Sequence, residues 1–121
     1  MMKEQMQAYL EYLAKADYEK LMSLFTPDAE VISPLYGVQK ASIFYQKLFA
    51  DTNESILVFQ DSFVNEEKKT ASINFLYTWK MANGEETYFD CVDVFQFDEN
   101  YKIKQLKIIY DTAATRPLFN K

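Results

Sequence analysis

The residue whose surroundings most clearly suggest chemistry is Asp93, a carboxyl in an otherwise apolar strand pattern. It interrupts an alternating set of side chains that would share one face of a strand: Phe89, Cys91, Phe95 and Phe97. Burial on such a face disfavours the charged form of a carboxyl, and the neutral form can donate a hydrogen bond. Asp93 is therefore either a hydrogen-bond donor in a cavity or a structural residue that bonds a tyrosine or a backbone amide.

A second candidate is Ser33, which ends a short apolar segment in the stretch AEVISPLYG at residues 29–37. A hydroxyl group can hydrogen-bond a ligand, but without an activating neighbour it is too weak a base to remove a proton from carbon. The chain contains no histidine, which excludes Ser–His and Cys–His pairs and the common zinc triads. Acid–base chemistry would have to use Asp, Glu, Tyr, Lys or bound water.

The composition excludes several other classes of function. The net charge of −5 and the acidic pI near 4.7 argue against nucleic-acid binding. Cys91 is the single cysteine, so an internal disulfide and a thiolate metal cluster cannot form. No apolar run is long enough for a membrane-spanning helix, and polar residues interrupt the N-terminal segment where a secretion signal would need an apolar core. We expect a cytoplasmic protein with no metal, no cofactor, no membrane contact and one domain over residues 1–121.

The elements that would position these residues are helices followed by strands. Apolar spacing predicts a helix over residues 3–15, a short second helix that Asp17 caps and that carries Leu21 to Phe25, and a third helix over residues 38–50. A short strand at residues 30–33 lies between the second and third helices. Longer strands are predicted near residues 55–64, 70–81, 86–97 and 102–112. This order indicates an α+β fold with a long antiparallel sheet.

The register of the central hairpin has two alternatives. A strict two-residue turn at Asn83-Gly84 would place Asn74 opposite Asp93. A one-residue bulge near the turn would shift the pairing and put an apolar set on the Asp93 face: Ile73, Phe75, Tyr77 and Trp79. We favour the bulge because it gives the better hydrophobic match.

The opposite face of the third long strand carries Tyr88, Val92 and Val94. The helices can cover only one face of the sheet, so this second apolar face needs another cover. We expect a homodimer that packs sheet to sheet.

The segments YLEYLAKADYEKLMSLFTPDAEVISPLYG and VDVFQFDENYKIKQLKIIYD resemble the nuclear transport factor 2-like superfamily, particularly its SnoaL-like and ketosteroid isomerase-like members. The resemblance covers nearly the whole chain. It implies a curved antiparallel sheet wrapped around helices, which forms a cone with an apolar cavity and usually a dimer. Because this fold serves many enzymes and binding modules, it specifies the function only weakly.

The resemblance also implies roles for particular residues. Tyr9 matches the first-helix tyrosine of the ketosteroid isomerase oxyanion hole, and Asp93 matches the protonated aspartic acid beside it. The general-base aspartate of that enzyme corresponds here to Ser33, so the base is missing. Asp111 in IIYD resembles the strand-end acid of SnoaL-type cyclases, or it caps a turn. The other expected ligand contacts are Tyr36, Phe89, Cys91 and Phe95.

Three functions remain open at this stage. The leading hypothesis is a cavity that binds, and in the catalytic version converts, a small apolar carbonyl compound of the polyketide or steroid type. The rivals are a non-catalytic ligand-binding module and a protein-interaction or dimerisation module whose cavity is filled by its own aromatic side chains. Cavity volume separates the last alternative from the others.

Overall fold

The computed structural model describes residues 1–120 and contains four helices and six strands within that range. The helices are α1 (Met2–Lys15), α2 (Tyr18–Met22), α3 (Ala41–Ala50) and α4 (Thr115–Phe119). The strands are β1 (Phe25–Ser33), β2 (Gly37–Lys40), β3 (Thr52–Asn65), β4 (Thr70–Met81), β5 (Glu86–Phe97) and β6 (Ile103–Ile109). The predicted α+β class is confirmed.

The six strands form one open sheet in the order β2-β1-β6-β5-β4-β3. Neighbouring strands are antiparallel, except that β1 runs parallel to β6. The sheet is therefore mixed rather than wholly antiparallel as predicted. The exception joins the first strand in the chain to the last, with Val31 opposite Leu106.

Helix α1 covers the concave face of this sheet with one apolar side. Its buried residues recur at helical spacing: Met2, Met6, Tyr9 and Leu13. The helix ends at Ala16, whose positive φ of 53° turns the chain. The Asp17 side chain then accepts a hydrogen bond from the Lys20 amide at 3.2 Å, which confirms Asp17 as the cap of α2. No helix within residues 1–120 is long and apolar enough to cross a membrane.

Two predicted boundaries around α2 and α3 are wrong. Helix α2 ends at Met22 instead of continuing to Phe25 as predicted, and the Thr26-Pro27-Asp28 segment that follows lies inside β1. Pro27 is tolerated there because the pairing of β1 with β6 is interrupted between Phe25 and Glu30, where a missing N–H costs no ladder bond. The segment predicted to start the third helix at residue 38 instead forms β2, which pairs with β1 from Ser33–Gly37 to Glu30–Lys40.

The hairpin between β4 and β5 adopts the bulged register. Ile73 lies opposite Asp93, and the buried side of β4 carries Phe75, Tyr77 and Trp79 as predicted. The extra residue lies in the turn itself: the Met81 amide donates to the Glu85 carbonyl, which leaves three residues in the loop. Gly84 there has a φ of 91°, a conformation that glycine adopts without steric cost.

The last strand is shorter than predicted, and a helix follows it. Strand β6 ends at Ile109, so Tyr110 and Asp111 lie beyond the sheet instead of inside it. The chain then turns into α4, which the sequence analysis missed. This helix packs against β5 through the buried hydroxyl pair of Thr87 and Thr115, whose oxygens are 3.0 Å apart.

Candidate functional site

A cavity lies between the concave face of the sheet and helices α1 and α3. Inside it the centre of a water molecule can range over about 40 Å³, which is room for a few waters. Fourteen residues line it: Tyr9, Leu13, Ser33, Tyr36, Phe44, Leu48, Phe75, Tyr77, Trp79, Phe89, Cys91, Asp93, Ile108 and Tyr110. The lining is mostly aromatic, and Asp93 is its single carboxylate.

Strand β5 holds Asp93 at the cavity wall between Ile73 of β4 and Ile108 of β6. The residue is 1% exposed, and this burial raises the pKa of its carboxyl to about 7. Hydrogen bonding from the Cys91 thiol and from the Tyr9 hydroxyl acts in the opposite direction. Near neutral pH the carboxyl is therefore present both as a neutral acid and as a carboxylate.

The Cys91 thiol is a hydrogen-bond partner of this carboxyl. Its Sγ lies 3.3 Å from Asp93 Oδ1 and donates to it. Burial and the adjacent carboxyl raise the pKa of the thiol far above its usual range. Cys91 therefore acts as a neutral donor that orients Asp93, and it is a poor nucleophile.

Helix α1 brings Tyr9 to the same cavity, as predicted. The Tyr9 hydroxyl lies 2.7 Å from the hydroxyl of Tyr45 on α3, and the Tyr9 ring meets Phe95 edge to face at 5.2 Å. Burial raises the pKa of both phenols well above the ordinary tyrosine value. Both hydroxyls therefore stay protonated, and the pair keeps one proton that it can donate beyond itself.

Ser33 lines the cavity at the end of β1, but its oxygen is already engaged. The Ser33 Oγ accepts backbone N–H bonds from Leu35 at 3.2 Å and from Tyr36 at 3.1 Å, which closes the turn into β2. Because these amides occupy its lone pairs, the hydroxyl can act toward a ligand as a donor only. This geometry strengthens the argument that Ser33 is not a general base.

Two further predicted contacts, Tyr36 and Phe89, line the cavity through their rings. The Tyr36 hydroxyl donates to Asp51 Oδ2 at 2.7 Å, and burial together with this bond raises its pKa beyond the ordinary range. The Phe89 ring stacks on Tyr110 with a centroid distance of 3.9 Å and an angle of 15°. Tyr36 and Phe89 therefore shape the cavity wall without offering a free polar group.

The structure places the remaining two predicted residues outside the lining. Phe95 is fully buried behind Tyr9 and supports that ring. Asp111 is exposed, and its carboxylate accepts the Ala113 amide at 2.9 Å, which is the turn-capping alternative. Strand β6 ends before Asp111, so this carboxyl is not carried into the cavity.

Sequence reasoning did not single out Tyr45 and Tyr110. Tyr45 was visible only as one apolar position of the third helix, and nothing in the sequence pairs it with Tyr9. Tyr110 follows β6, lines the cavity, and its hydroxyl has no hydrogen-bond partner among the described residues. Burial raises its pKa, so it remains a neutral donor.

Helix α4 packs beside the cavity. Its Phe119 ring meets Tyr36 at 5.2 Å and Trp79 at 6.1 Å. Arg116 donates to the Pro34 carbonyl at 2.9 Å, and Asn83 donates to the Leu118 carbonyl at 3.2 Å. The helix is therefore tied both to the turn after β1 and to the turn after β4.

No group of three or more His, Cys, Asp or Glu within residues 1–120 is arranged to hold a metal ion. The polar groups directed at the cavity are hydroxyls, one thiol and one carboxyl. Such a set can donate hydrogen bonds to an oxygen atom of a ligand.

Comparison with protein families gives a match to the SnoaL-like domain over residues 6–106. The chain belongs to the SnoaL-like family. This match covers most of the sequence and includes Tyr9 on α1, Ser33 on β1 and Asp93 on β5. It confirms the resemblance to the nuclear transport factor 2-like superfamily. No curated protein matches the sequence.

Several solved structures share the SnoaL-like cone. TerC, co-crystallised with polyporic acid, is 17% identical with a TM-score of 0.81, over 99% of this chain and 98% of that chain. An NTF2-like protein of unknown function from Burkholderia pseudomallei is 16% identical with a TM-score of 0.82, over 99% and 98%. SalBIII, an epoxide hydrolase/cyclase-like enzyme of pyran ring formation in salinomycin, is 16% identical with a TM-score of 0.78, over 91% and 90%. At these identities the likeness establishes the fold alone.

Proposed function

We propose that the cavity binds a small, apolar molecule through a carbonyl oxygen. The observation that carries this proposal is the buried Asp93 carboxyl, whose pKa is raised to about 7 by burial, beside Tyr9 in a mostly aromatic cavity. A carbonyl oxygen would accept hydrogen bonds from the neutral acid and from the phenol. In a water-poor site these two donors are stronger than they are in bulk water.

The cavity size favours the small end of the ligand class. Sites for drug-sized ligands usually have volumes of about 300 to 1,000 Å³, and the space here suits a few waters. A monocyclic ketone therefore fits this proposal better than a steroid. TerC was co-crystallised with polyporic acid and SalBIII takes part in pyran ring formation, which is consistent with a cavity for small molecules.

The proposed activity is binding first, with conversion only where the substrate needs no protein base. Two donors can polarise a carbonyl, but proton removal from the adjacent carbon needs an acceptor. The matching position holds Ser33, whose oxygen accepts two backbone amides. This occupied oxygen is the specific observation in favour of the alternative of a non-catalytic binding module.

A titration of cyclohexanone by protein NMR tests the binding proposal. We expect saturable shifts of cavity amide signals, and affinity that falls as pH rises through about 7, because the neutral acid is then lost. Asp93→Leu should weaken cyclohexanone binding by about tenfold, whereas Asp111→Asn should leave it unchanged. Cyclohexene, which lacks the carbonyl oxygen, should bind wild type and Asp93→Leu with the same affinity. Equal binding of the ketone by wild type and Asp93→Leu would contradict the proposal.

We further propose that the outer face of the sheet, the face away from the helices, is covered by a second copy of the chain. It exposes apolar residues on β3 to β6: Ile56, Val58, Leu76, Tyr88 and Ile109. The polar groups amid them bond one another, since Asn74 donates to Asp90 at 2.6 Å and Gln60 donates to Asn74 at 3.0 Å. An apolar patch that spans four strands, and at whose centre Gln60, Asn74 and Asp90 bond one another, is suited to burial against itself.

A further inference from the structure

Among residues 1–120, no cationic group forms an ion pair with the Asp93 carboxyl. The titratable groups that face it are Tyr9 from α1, Tyr45 from α3, Tyr77 from β4, Cys91 from β5 and Tyr110 after β6. All five are neutral near pH 7 because burial raises their pKa values. The cavity lining within residues 1–120 contains neither lysine nor arginine. An ionised carboxylate here would be stabilised by a positive charge supplied from outside.

The walls around this carboxyl are suited to a particular kind of cation. Eight of the lining residues are aromatic: Tyr9, Tyr36, Phe44, Phe75, Tyr77, Trp79, Phe89 and Tyr110. Aromatic faces attract cations, and the attraction grows when water is excluded. A methylated ammonium ion also presents an apolar surface to such rings, whereas a hydrated metal ion would need several oxygen ligands that this lining does not offer.

The available space agrees with a compact cation. The cavity has room for a few waters, so it favours a compact cation over one that carries a large ring system. A trimethylammonium group has no N–H that must find an acceptor, and the hydroxyls of Tyr77 and Tyr36 are already bonded to Ser55 and Asp51.

We propose that the cavity also accepts a small methylated ammonium ion, with Asp93 as its counter-ion and the aromatic rings as its walls. This inference does not rest on the carbonyl-binding proposal, because it requires only the carboxylate and the rings. The two ligand classes use opposite forms of Asp93: the neutral acid donates to a carbonyl oxygen, and the carboxylate attracts a cation. Since the pKa is about 7, both forms are available near neutrality.

The test compares choline with 3,3-dimethylbutan-1-ol, which has the same shape but carbon in place of the charged nitrogen. Tetramethylammonium serves as a more compact second cation. We expect choline or tetramethylammonium to bind wild type at about pH 8.5 at least about tenfold more tightly than the neutral alcohol, measured by calorimetry and by shifts of cavity amides. At about pH 5.5 the advantage of the cation should be lost, because Asp93 is then protonated.

Two variants sharpen the result. Asp93→Asn should remove the preference for the cation at about pH 8.5, while Asp28→Asn, which removes an exposed carboxylate of β1, should retain it. If Asp93→Asn does not fold, the pH dependence of the wild type decides the question. Equal affinity for the cation and its neutral isostere, or no binding of either cation to folded wild type at about pH 8.5, would overturn the inference. A ketone that binds more tightly at low pH would support the carbonyl proposal independently.

Discussion

The hydroxyl oxygens of Tyr9 and Tyr45 lie 2.7 Å apart and join α1 to α3 inside the core. Both side chains are almost completely buried, so no solvent can replace a lost partner. The pair also lies next to the candidate site, because hydrogen bonding from Tyr9 lowers the pKa of the Asp93 carboxyl. The same hydrogen bond therefore holds two helices together and orients a proposed donor.

Tyr45→Phe should lower the free energy of unfolding by about 1 to 3 kcal/mol, because it leaves the buried Tyr9 hydroxyl with one partner fewer. Urea denaturation measures this loss. The double variant Tyr9→Phe/Tyr45→Phe should cost less than the sum of the two single variants, since no hydroxyl is then left unpaired. Tyr88→Phe, at a side chain that is 70% exposed, is the matched control and should change little. Strict additivity of the two buried substitutions would show that the hydroxyls do not interact.

The stability of the wild type should fall as pH rises from about 4 to about 7. Over this range folded Asp93 keeps its proton, because its pKa is about 7, while the unfolded chain releases it near the ordinary value of 3.8. The folded state therefore binds more protons, and its stability is greatest at low pH for this group. The expected loss from Asp93 is on the order of 4 kcal/mol, at about 1.4 kcal/mol for each unit of pKa difference.

The control for this prediction is Asp93→Asn, which removes the titration and keeps the shape. Other carboxyls contribute to both proteins, so the quantity to compare is the difference between the two curves of unfolding free energy against pH. That difference should change between about pH 4 and pH 7 and be level above about pH 8. Parallel curves would mean that Asp93 titrates normally.

Ser33→Asp should introduce weak isomerase activity toward cyclohex-3-en-1-one, while the wild type should show negligible turnover. A carboxylate at this position can remove a proton from the carbon between the carbonyl and the double bond, and the proton returns at the far end of the new dienolate. A general base typically contributes about 10² to 10⁴-fold. The ultraviolet absorbance of the conjugated enone measures the rate.

Ser33→Asn is the matched control for this gain, since its side-chain oxygen can close the same turn but cannot act as the base. The gain should disappear when Ser33→Asp is combined with Tyr9→Phe or Asp93→Leu, because the enolate oxygen then loses a donor. Cyclohexanone binding is measured in each variant, so that a lost site is distinguished from lost chemistry. Turnover by the wild type that persists when Tyr9→Phe or Asp93→Leu is introduced would refute this mechanism.

Leu76→Glu on the outer face should convert the proposed homodimer into a monomer. Leu76 is exposed within one chain, so the substitution places a carboxylate in the proposed interface without disturbing the core. Ile43→Glu on α3 adds the same charge on the opposite side of the sheet, at a side chain that is 41% exposed against 43% for Leu76. Analytical ultracentrifugation at micromolar concentration should give a dimer for wild type and Ile43→Glu. A monomeric wild type would contradict the proposal.

Much of the fold could be predicted because its signals are local. Alternating residues fixed the faces of β4 and β5, and Asp17 marked the start of α2. The end of that helix was misplaced because Leu24 and Phe25 continue the helical spacing, whereas their structure is decided by distant pairing: the Ile103 amide donates to the Leu24 carbonyl. Helix α4 was missed because it is one short segment held by contacts with turns far away in sequence.

The candidate site was predicted in part for the same reason. Asp93 was visible as a carboxyl in an apolar pattern, and Tyr9 came from the family resemblance. The partnership of Tyr9 with Tyr45 depends on how α1 and α3 pack, and the occupied lone pairs of Ser33 depend on the turn that follows it. The volume of the cavity depends on side-chain packing throughout the core, which no local pattern encodes.

The parallel pairing of β1 with β6 also constrains how the chain reaches its folded state. Strands β3 to β6 are each neighbours in both sequence and space, so they can form by successive hairpins. Strand β1 can pair with β2 as a local hairpin, but its other edge must wait for β6, which leaves the ribosome much later. Until then this edge of β1 is unpaired, so we expect the nascent chain to be more prone to aggregation during this interval.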